Sequence, residues 1–394
     1  MKRINNLYDT IVDLKKIQRM YDHRIRVNTK NKIKLEKFEN NYVSNMIYIK
    51  NILESRSYVP GRYNIFIIKE PKLRLIMSQN IIDKIINHMV SEYFLVDVYD
   101  KTLIDTNIAT RKGKGTSYGR KMLKKYLNKV KDNNFYVLKF DISKYFFNMN
   151  HDILKRLVRK KIKDKEVLKI IDDIIDSTDY DYVNNNILRL KNLEISRINR
   201  NCNDYHKLIS DIDRMPMYRK GYGLPIGNLS SQALAIMYLD ELDHFIKEEL
   251  KIKYYIRYMD DGLLIHESRE YLEFCLSKII EVLDRYELTL NNKTRIYNSN
   301  EGFEFLGFKY FIKNDKIIMK VKNQTKRKFK RKMKTLNHLV NIEKITYKDL
   351  LHVKSSYLVH LAYGDSSKLI YNTMKQNKNM YESLGEPVRV EDYM

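Results

Sequence analysis

Three aspartates stand where a carboxylate is costly unless it has a task. Asp141 closes an apolar run, Phe135 to Phe140, that reads as a strand. Asp260 and Asp261 separate two further apolar runs, Tyr254-Tyr255-Ile256 and Leu263-Leu264-Ile265, and so belong at the tip of a hairpin spanning Tyr254 to His266. An Asp-Asp pair is also common at surface turns, and for Asp260-Asp261 alone that reading stays open. Between strands buried in a sheet, however, two unpaired carboxylates are unfavourable without a cation. Oxygen ligands held on rigid strands suit Mg²⁺. The chemistry such a site supports is two-metal phosphoryl transfer, with ions about 3.5–4 Å apart. One ion lowers the pKa of an attacking hydroxyl; the other stabilises the leaving phosphate.

Several elements must position these residues. Apolar spacing at Ile11, Leu14 and Ile17, and again at Met46, Ile49, Ile52 and Leu53, predicts amphipathic helices within residues 1–57. Pro60-Gly61 ends that pattern, and Tyr63 to Met77 predicts two short strands around Pro71. Helical periodicity returns from Ile81 to Phe94. The glycine-punctuated basic loop Arg111-Lys112-Gly113-Lys114-Gly115-Thr116 opens a helix that ends near Val130. Asn150 is a suitable N-cap for a helix carrying Ile153, Leu154, Leu157 and Val158. Residues 178–220 are polar, basic and Asn-rich, and are expected to be the least regular part of the chain. Leu224-Pro225-Ile226-Gly227 precedes a long helix to about Leu250. A helix over 272–286, a hairpin around Gly307, a basic helical region from 320 and an acidic-leaning tail complete the pattern.

Composition narrows the partner. The chain has 394 residues, 43% apolar and 31% charged, enough to bury a sizeable core. Lys and Arg number 74 against 49 acids, a net charge of +25 with a sequence pI near 9.6. Repulsion on that scale opposes compaction, and a polyanionic partner offsets it; a solvated basic surface is the other reading. The 31 Tyr residues suit wet grooves and base stacking, or reflect a biased composition. Only Cys202 and Cys275 occur, with no CxxC pair, so neither a disulfide framework nor a structural zinc site is expected. No stretch approaches a membrane span and the first residues lack an apolar run. A soluble, cytoplasmic protein without membrane contact is expected.

The motifs around the aspartates resemble those of reverse transcriptases. Tyr258-Met259-Asp260-Asp261 is similar to their YxDD box, and Phe140-Asp141-Ile142-Ser143-Lys144-Tyr145-Phe146 to their first palm motif. Lys72-x-Arg74 and the Arg111–Thr116 loop resemble two fingers blocks. Leu290 to Ile296 resembles the block after the YxDD hairpin, Phe305-Leu306-Gly307-Phe308 the primer grip, and Tyr357-Leu358-Val359-His360-Leu361 a thumb motif of bacterial members. The resemblance, over residues 60–365, implies an α+β right-hand polymerase fold. N-terminal helices and fingers would occupy 1–135. The palm, an antiparallel sheet with packed helices, would occupy 136–315, with fingers helices and an insertion at about 151–221. A basic helical thumb and tail would occupy 316–394.

It also implies roles. Asp141, Asp260, Asp261 and the Ile142 carbonyl would hold two Mg²⁺ ions, which Mn²⁺ can replace. Lys72 and Arg74 would offset triphosphate charge. Phe146 matches the steric gate against a ribose 2′-hydroxyl, a core Phe being the alternative, and Lys293 matches a lysine that protonates pyrophosphate. Arg111, Lys112 and Lys114 would contact nucleic acid. Most reverse transcriptases carry Gln where this chain has Ile226, and Pro where it has Gln232. The form Ile226-Gly227-Asn228-Leu229-Ser230-Ser231-Gln232 resembles that of diversity-generating retroelements, which copy a template RNA into mutagenic cDNA chiefly at adenines. Without a hydrogen-bonding side chain at Ile226, discrimination rests on packing, a weak filter. Phage-defence enzymes are the rival reading; retron and group II intron enzymes fit less well. Lys320 to Lys334 holds nine cations in fifteen residues. Lys326, Arg327, Lys330, Arg331 and Lys334 would there track phosphates of an RNA/DNA hybrid, although a solvated helix face is the usual reading of such a run. The implied partners are template RNA, the hybrid, dNTPs and a small basic oligomeric accessory protein.

Overall fold

The runs that flank the aspartates pair with one another. The structure, a computed structural model, describes residues 4–69 and 72–375. Its strands are β1 (Asn64–Ile68), β2 (Arg74–Ser78), β3 (Tyr136–Asp141), β4 (Tyr254–Tyr258), β5 (Asp261–His266), β6 (Arg295–Asn298), β7 (Phe303–Phe305), β8 (Phe308–Lys313) and β9 (Lys316–Val321). They form a β1–β2 hairpin, a four-stranded antiparallel sheet in the order β4-β5-β3-β6, and a three-stranded sheet β7-β8-β9. With helices packed around them, the class is α+β.

The central sheet explains the continuous apolar runs of its strands. Alternate residues enter two different cores, because both faces of the sheet are covered. Leu138, Phe140, Tyr255 and Leu264 face a core shared with the N-terminal helices and with the helices Leu229–Tyr238 and Arg269–Arg285. Val137, Ile256, Leu263 and Ile265 face a second core, built with the helix Thr116–Val130, the β7–β9 sheet and the helix Asn323–Asn341. The register leaves the aspartates at one end of the sheet, where the strand pair gives out.

Two expectations are corrected. Residues 178–220 are largely helical: Asp181–Ser196 and Tyr205–Asp213 are helices. Val183 and Ile187, four residues apart, pack with Met215 and Tyr218 under Tyr63, Ile65, Leu75 and Met77 of the β1–β2 hairpin. Tertiary burial there outweighs the weak helix propensity of the Asn-rich sequence. The long helix expected to reach Leu250 is instead broken at Leu239, leaving Leu229–Tyr238, Asp240–His244 and a wide turn over Phe245–Glu249. The predicted tail lies outside the described residues, as does Pro71.

Candidate active site

Asp141 ends β3 directly opposite Asp261, the first residue of β5. Asp260 occupies the turn between β4 and β5, where Met259 adopts a left-handed backbone, φ 55°. The carboxyls of Asp141 and Asp260 are close enough to act on each other's charge. Burial, followed by the Asp141 charge, pushes the Asp260 carboxyl up to about 6. Burial and Asp261 also raise Asp141, with Lys139 and Lys293 opposing them. Asp261 Oδ1 lies 3.2 Å from Lys139 Nζ. Three carboxyls are therefore concentrated at the end of the sheet, and Lys139 and Lys293 offset only part of their mutual repulsion.

Close packing makes this register specific. A Cβ on Gly262 would meet the Phe140 ring at 2.1 Å, so glycine alone lets the two strands meet beside the aspartates. Ile142, buried, bridges to Leu290, and the Asn291 N–H donates to the Asp141 carbonyl at 2.7 Å. That hydrogen bond places the exposed Lys293 near Asp141, the charge of which it offsets.

The other predicted residues divide. Phe146, half-buried on the short helix Tyr145–Asn148, accepts the Leu224 N–H on its carbonyl at 2.7 Å. The Ile226 carbonyl accepts the Met77 N–H at 2.8 Å. Gly227, at φ 134°, has no room for a Cβ, which would stand 2.6 Å from the Met77 carbonyl oxygen. Gln232 is half-buried on the following helix, and Arg74, exposed, begins β2. Lys72 lines a cavity of about 810 Å³ together with Lys326 and Lys330. Lys326, Arg327, Lys330, Arg331 and Lys334 lie on a helix that buries Phe329, Met333 and Leu336 and keeps these cations toward solvent. In the Arg111–Thr116 loop only Lys112 is exposed among the three cations. Arg111 is engaged internally by the Asp100 carboxylate and by the carbonyls of Asp100, Ile104 and Asn107, and Lys114 by Asp105.

Two supports lie outside the sequence motifs. Arg257, fully buried in β4, bonds the Asp243 carboxylate through Nε and Nη2 and the Met259 carbonyl through Nη1 at 2.8 Å, so it holds the turn that carries Asp260. Its one signal in the sequence is a lone cation inside an apolar strand. His151 Nε2 lies 2.8 Å from the Gly223 carbonyl, ahead of Ile226, and its Nδ1 is 3.1 Å from Asp176 and 3.5 Å from Asp179. Among the described residues these three side chains are the set with ligand atoms all within 4.8 Å of one another, but Lys155, 2.6 Å from Asp176, already supplies a cation there.

Residues 67–310 match the family model described as reverse transcriptase (RNA-dependent DNA polymerase). No curated protein matches the sequence. Chains of solved structures are similar to it in structure, among them telomerase from Candida albicans in complex with a TWJ fragment of telomeric RNA. That similarity has 11% identity and a TM-score of 0.43, and covers 82% of this chain and 56% of the other, so this chain spans little more than half the length of that one.

Proposed function

Because this chain belongs to the reverse transcriptase (RNA-dependent DNA polymerase) family, we propose that it extends a DNA primer along an RNA template by phosphoryl transfer at Asp141, Asp260 and Asp261. Its helices and antiparallel sheets have the architecture of a right-hand polymerase. The observation that carries the reading is the register that sets Asp141 opposite Asp261, with Asp260 in the adjoining turn.

The donor set suits a divalent metal. Two carboxylates raised by burial and by neighbouring acids bear charge that hard cations would relieve, and their oxygens are the ligands Mg²⁺ prefers. Asp141, Asp260, Asp261 and the Ile142 carbonyl would hold the ions, which when bound activate the primer hydroxyl and neutralise the departing pyrophosphate. Lys139 holds Asp261 in place, and Arg257 fixes the turn through the Met259 carbonyl. Lys72 and Arg74 would bind the triphosphate, and Lys293 would give a proton to pyrophosphate. Phe146 would meet a 2′-hydroxyl. Lys112 and the cations of Asn323–Asn341 would track phosphates of the hybrid.

At the finer level the reading is an error-prone enzyme of a diversity-generating retroelement, working in the cytoplasm with a dedicated template RNA and a basic accessory protein. Ile226 supports it, since an aliphatic side chain discriminates base pairs by packing alone. No helix among the described residues is long and apolar enough to cross a membrane. Primer extension by purified protein on RNA, with dNTPs and Mg²⁺ and with products sequenced, tests both levels. Extension lost in Asp260→Ala with RNA binding kept supports the polymerase; a wild type that extends no primer–template overturns it. Errors concentrated at template adenines support diversification, whereas repetitive or untemplated products favour a defence enzyme.

A further inference from the structure

Asp176–Thr178 forms a 3₁₀ turn, closed by the Asp179 N–H on the Asp176 carbonyl at 2.9 Å. With three residues to the turn, side chains at i and i+3 eclipse, so Asp176 and Asp179 present their carboxylates to one side. His151, the first residue of the helix His151–Arg159, meets them there and is only 2% exposed. Its Nδ1 is 3.1 Å from Asp176 Oδ1 and 3.5 Å from Asp179 Oδ2. That buried nitrogen nevertheless makes no hydrogen bond.

The outer atom of each side chain is already engaged. His151 Nε2 is 2.8 Å from the Gly223 carbonyl, which can only accept, so Nε2 carries a proton and in the neutral ring Nδ1 is a bare lone pair. Asp179 Oδ1 accepts the Gly221 N–H at 2.9 Å. Asp176 Oδ2 accepts from Lys155 Nζ at 2.6 Å. Three atoms of ligand type are thus left on the inner side, all within 4.8 Å of one another. Orientation through the outer atom is how metal-binding histidines and carboxylates are held. Lys155 does not stand in for an ion at the inner side. Its single charge sits on the outer oxygen, against two carboxylates and a lone pair that faces both.

The spacing also suits an ion. Ligands about 2.0–2.2 Å from Zn²⁺ stand roughly 3–3.5 Å apart, as the two Nδ1–oxygen distances do. One imidazole and two carboxylates fit Zn²⁺ or Mn²⁺ better than Mg²⁺, which takes oxygen. The Asp176 side chain is 41% exposed, which gives an ion a way in and a position for water.

We propose that His151, Asp176 and Asp179 bind a zinc-class divalent cation, separate from the ions at Asp141, Asp260 and Asp261. It fastens the helix His151–Arg159 and the Asp176–Thr178 turn to the Gly221–Gly223 turn. That turn leads into Leu224–Gly227: its Gly223 carbonyl takes hydrogen bonds from His151 and Thr178, and the Leu224 N–H reaches the Phe146 carbonyl. The ion is a brace under the segment that carries Ile226. Its binding does not depend on the polymerase reading.

Zn²⁺ is titrated, against a chromophoric chelator and in excess Mg²⁺, into the full chain carrying Asp141→Asn and Asp260→Asn, which removes two carboxylates of the other cluster. One equivalent should bind, with a Tm that rises with Zn²⁺ concentration. X-ray absorption at the zinc edge should show nitrogen and oxygen ligands with one imidazole among them. Adding Asp179→Asn or His151→Gln should weaken binding by more than about 10²-fold, beyond the loss of an outer partner. Lys155→Gln should instead tighten it, because a competing positive charge leaves while all three ligands stay. No zinc bound by the parent, zinc bound without an imidazole, or an affinity unchanged in both ligand variants overturns the proposal and leaves an ion-paired cluster. The parent and Lys155→Gln keep every ligand, so they decide the matter even where a ligand variant fails to fold.

Discussion

The guanidinium of Arg257 and the carboxylate of Asp243 meet through two hydrogen bonds of 2.7 Å, with both side chains wholly buried. The remaining nitrogen reaches the carbonyl of Met259, one residue before Asp260. A charged pair at this depth gains little net stability over an apolar pair, but removing one partner strands the other. Asp243→Ala should therefore lower stability by about 3–5 kcal/mol, read as a shift in the urea midpoint. Arg257→Met/Asp243→Leu should recover much of that stability while primer extension stays impaired, because nothing then holds the turn. Full recovery of extension in the double variant would mean that Arg257 does not position Asp260.

Asp260 has its folded-state pKa raised from 3.8 to about 6. The folded chain therefore binds that proton more tightly than the unfolded chain, and without metal it loses stability as pH rises from about 4 to about 6. Asp260→Asn should remove this dependence and raise stability above that window by up to about 2 kcal/mol, after discount for its part exposure. The same change should cut extension by at least about 10²-fold. Thermal melts in a chelator at two pH values, beside extension assays, show whether stability and activity move in opposite directions.

A histidine away from the site titrates with the other sign. Burial first, then Lys84 and Arg24, depress His88 from 6.5 to about 4. The fold keeps it neutral, so stability present near neutral pH should fall as pH drops from about 6.5 to about 4, by at most about 3 kcal/mol. His88→Gln should flatten the denaturation midpoint over this range; an unchanged slope assigns the acid sensitivity elsewhere.

For selectivity, Ile226→Gln should reduce misincorporation, on the order of ten-fold, in single-nucleotide extension against each template base. Phe146→Val should admit ribonucleotides without altering primer–template affinity. If Phe146→Val still rejects ribonucleotides, the ring is a packing residue and no gate.

On the helix Asn323–Asn341, Lys326→Gln/Lys330→Gln should lower the salt slope of RNA/DNA hybrid binding by about 0.9 for each phosphate left without its cation. Neither side chain belongs to the buried face of Phe329, Met333 and Leu336, so thermal stability should hold. An unchanged slope would return the run to a solvated face.

The aspartates were legible because strand context is local: apolar runs on either side of a carboxylate are visible without coordinates. Which Asp faces which was not, since it depends on β5 lying between β4 and β3. The helix Asp181–Ser196 was hidden by its asparagines and revealed by Val183 and Ile187 finding the underside of β1–β2. Arg111 illustrates the opposite failure. A basic, glycine-punctuated loop reads as open to phosphate, but the acceptors that claim this side chain, Asp100, Ile104 and Asn107, are brought round it by the chain's own turn.

Met77 donates its N–H to Ile226 and presses its carbonyl against the site where Gly227 lacks a Cβ. The strand carrying Arg74 and the segment carrying Ile226 are thus one mechanical piece. In the polymerase proposed above, a shift of the hairpin would carry Ile226 with it, so closing over a substrate and judging its shape would be coupled. In such an enzyme, accuracy and speed would be adjusted together at this one seam.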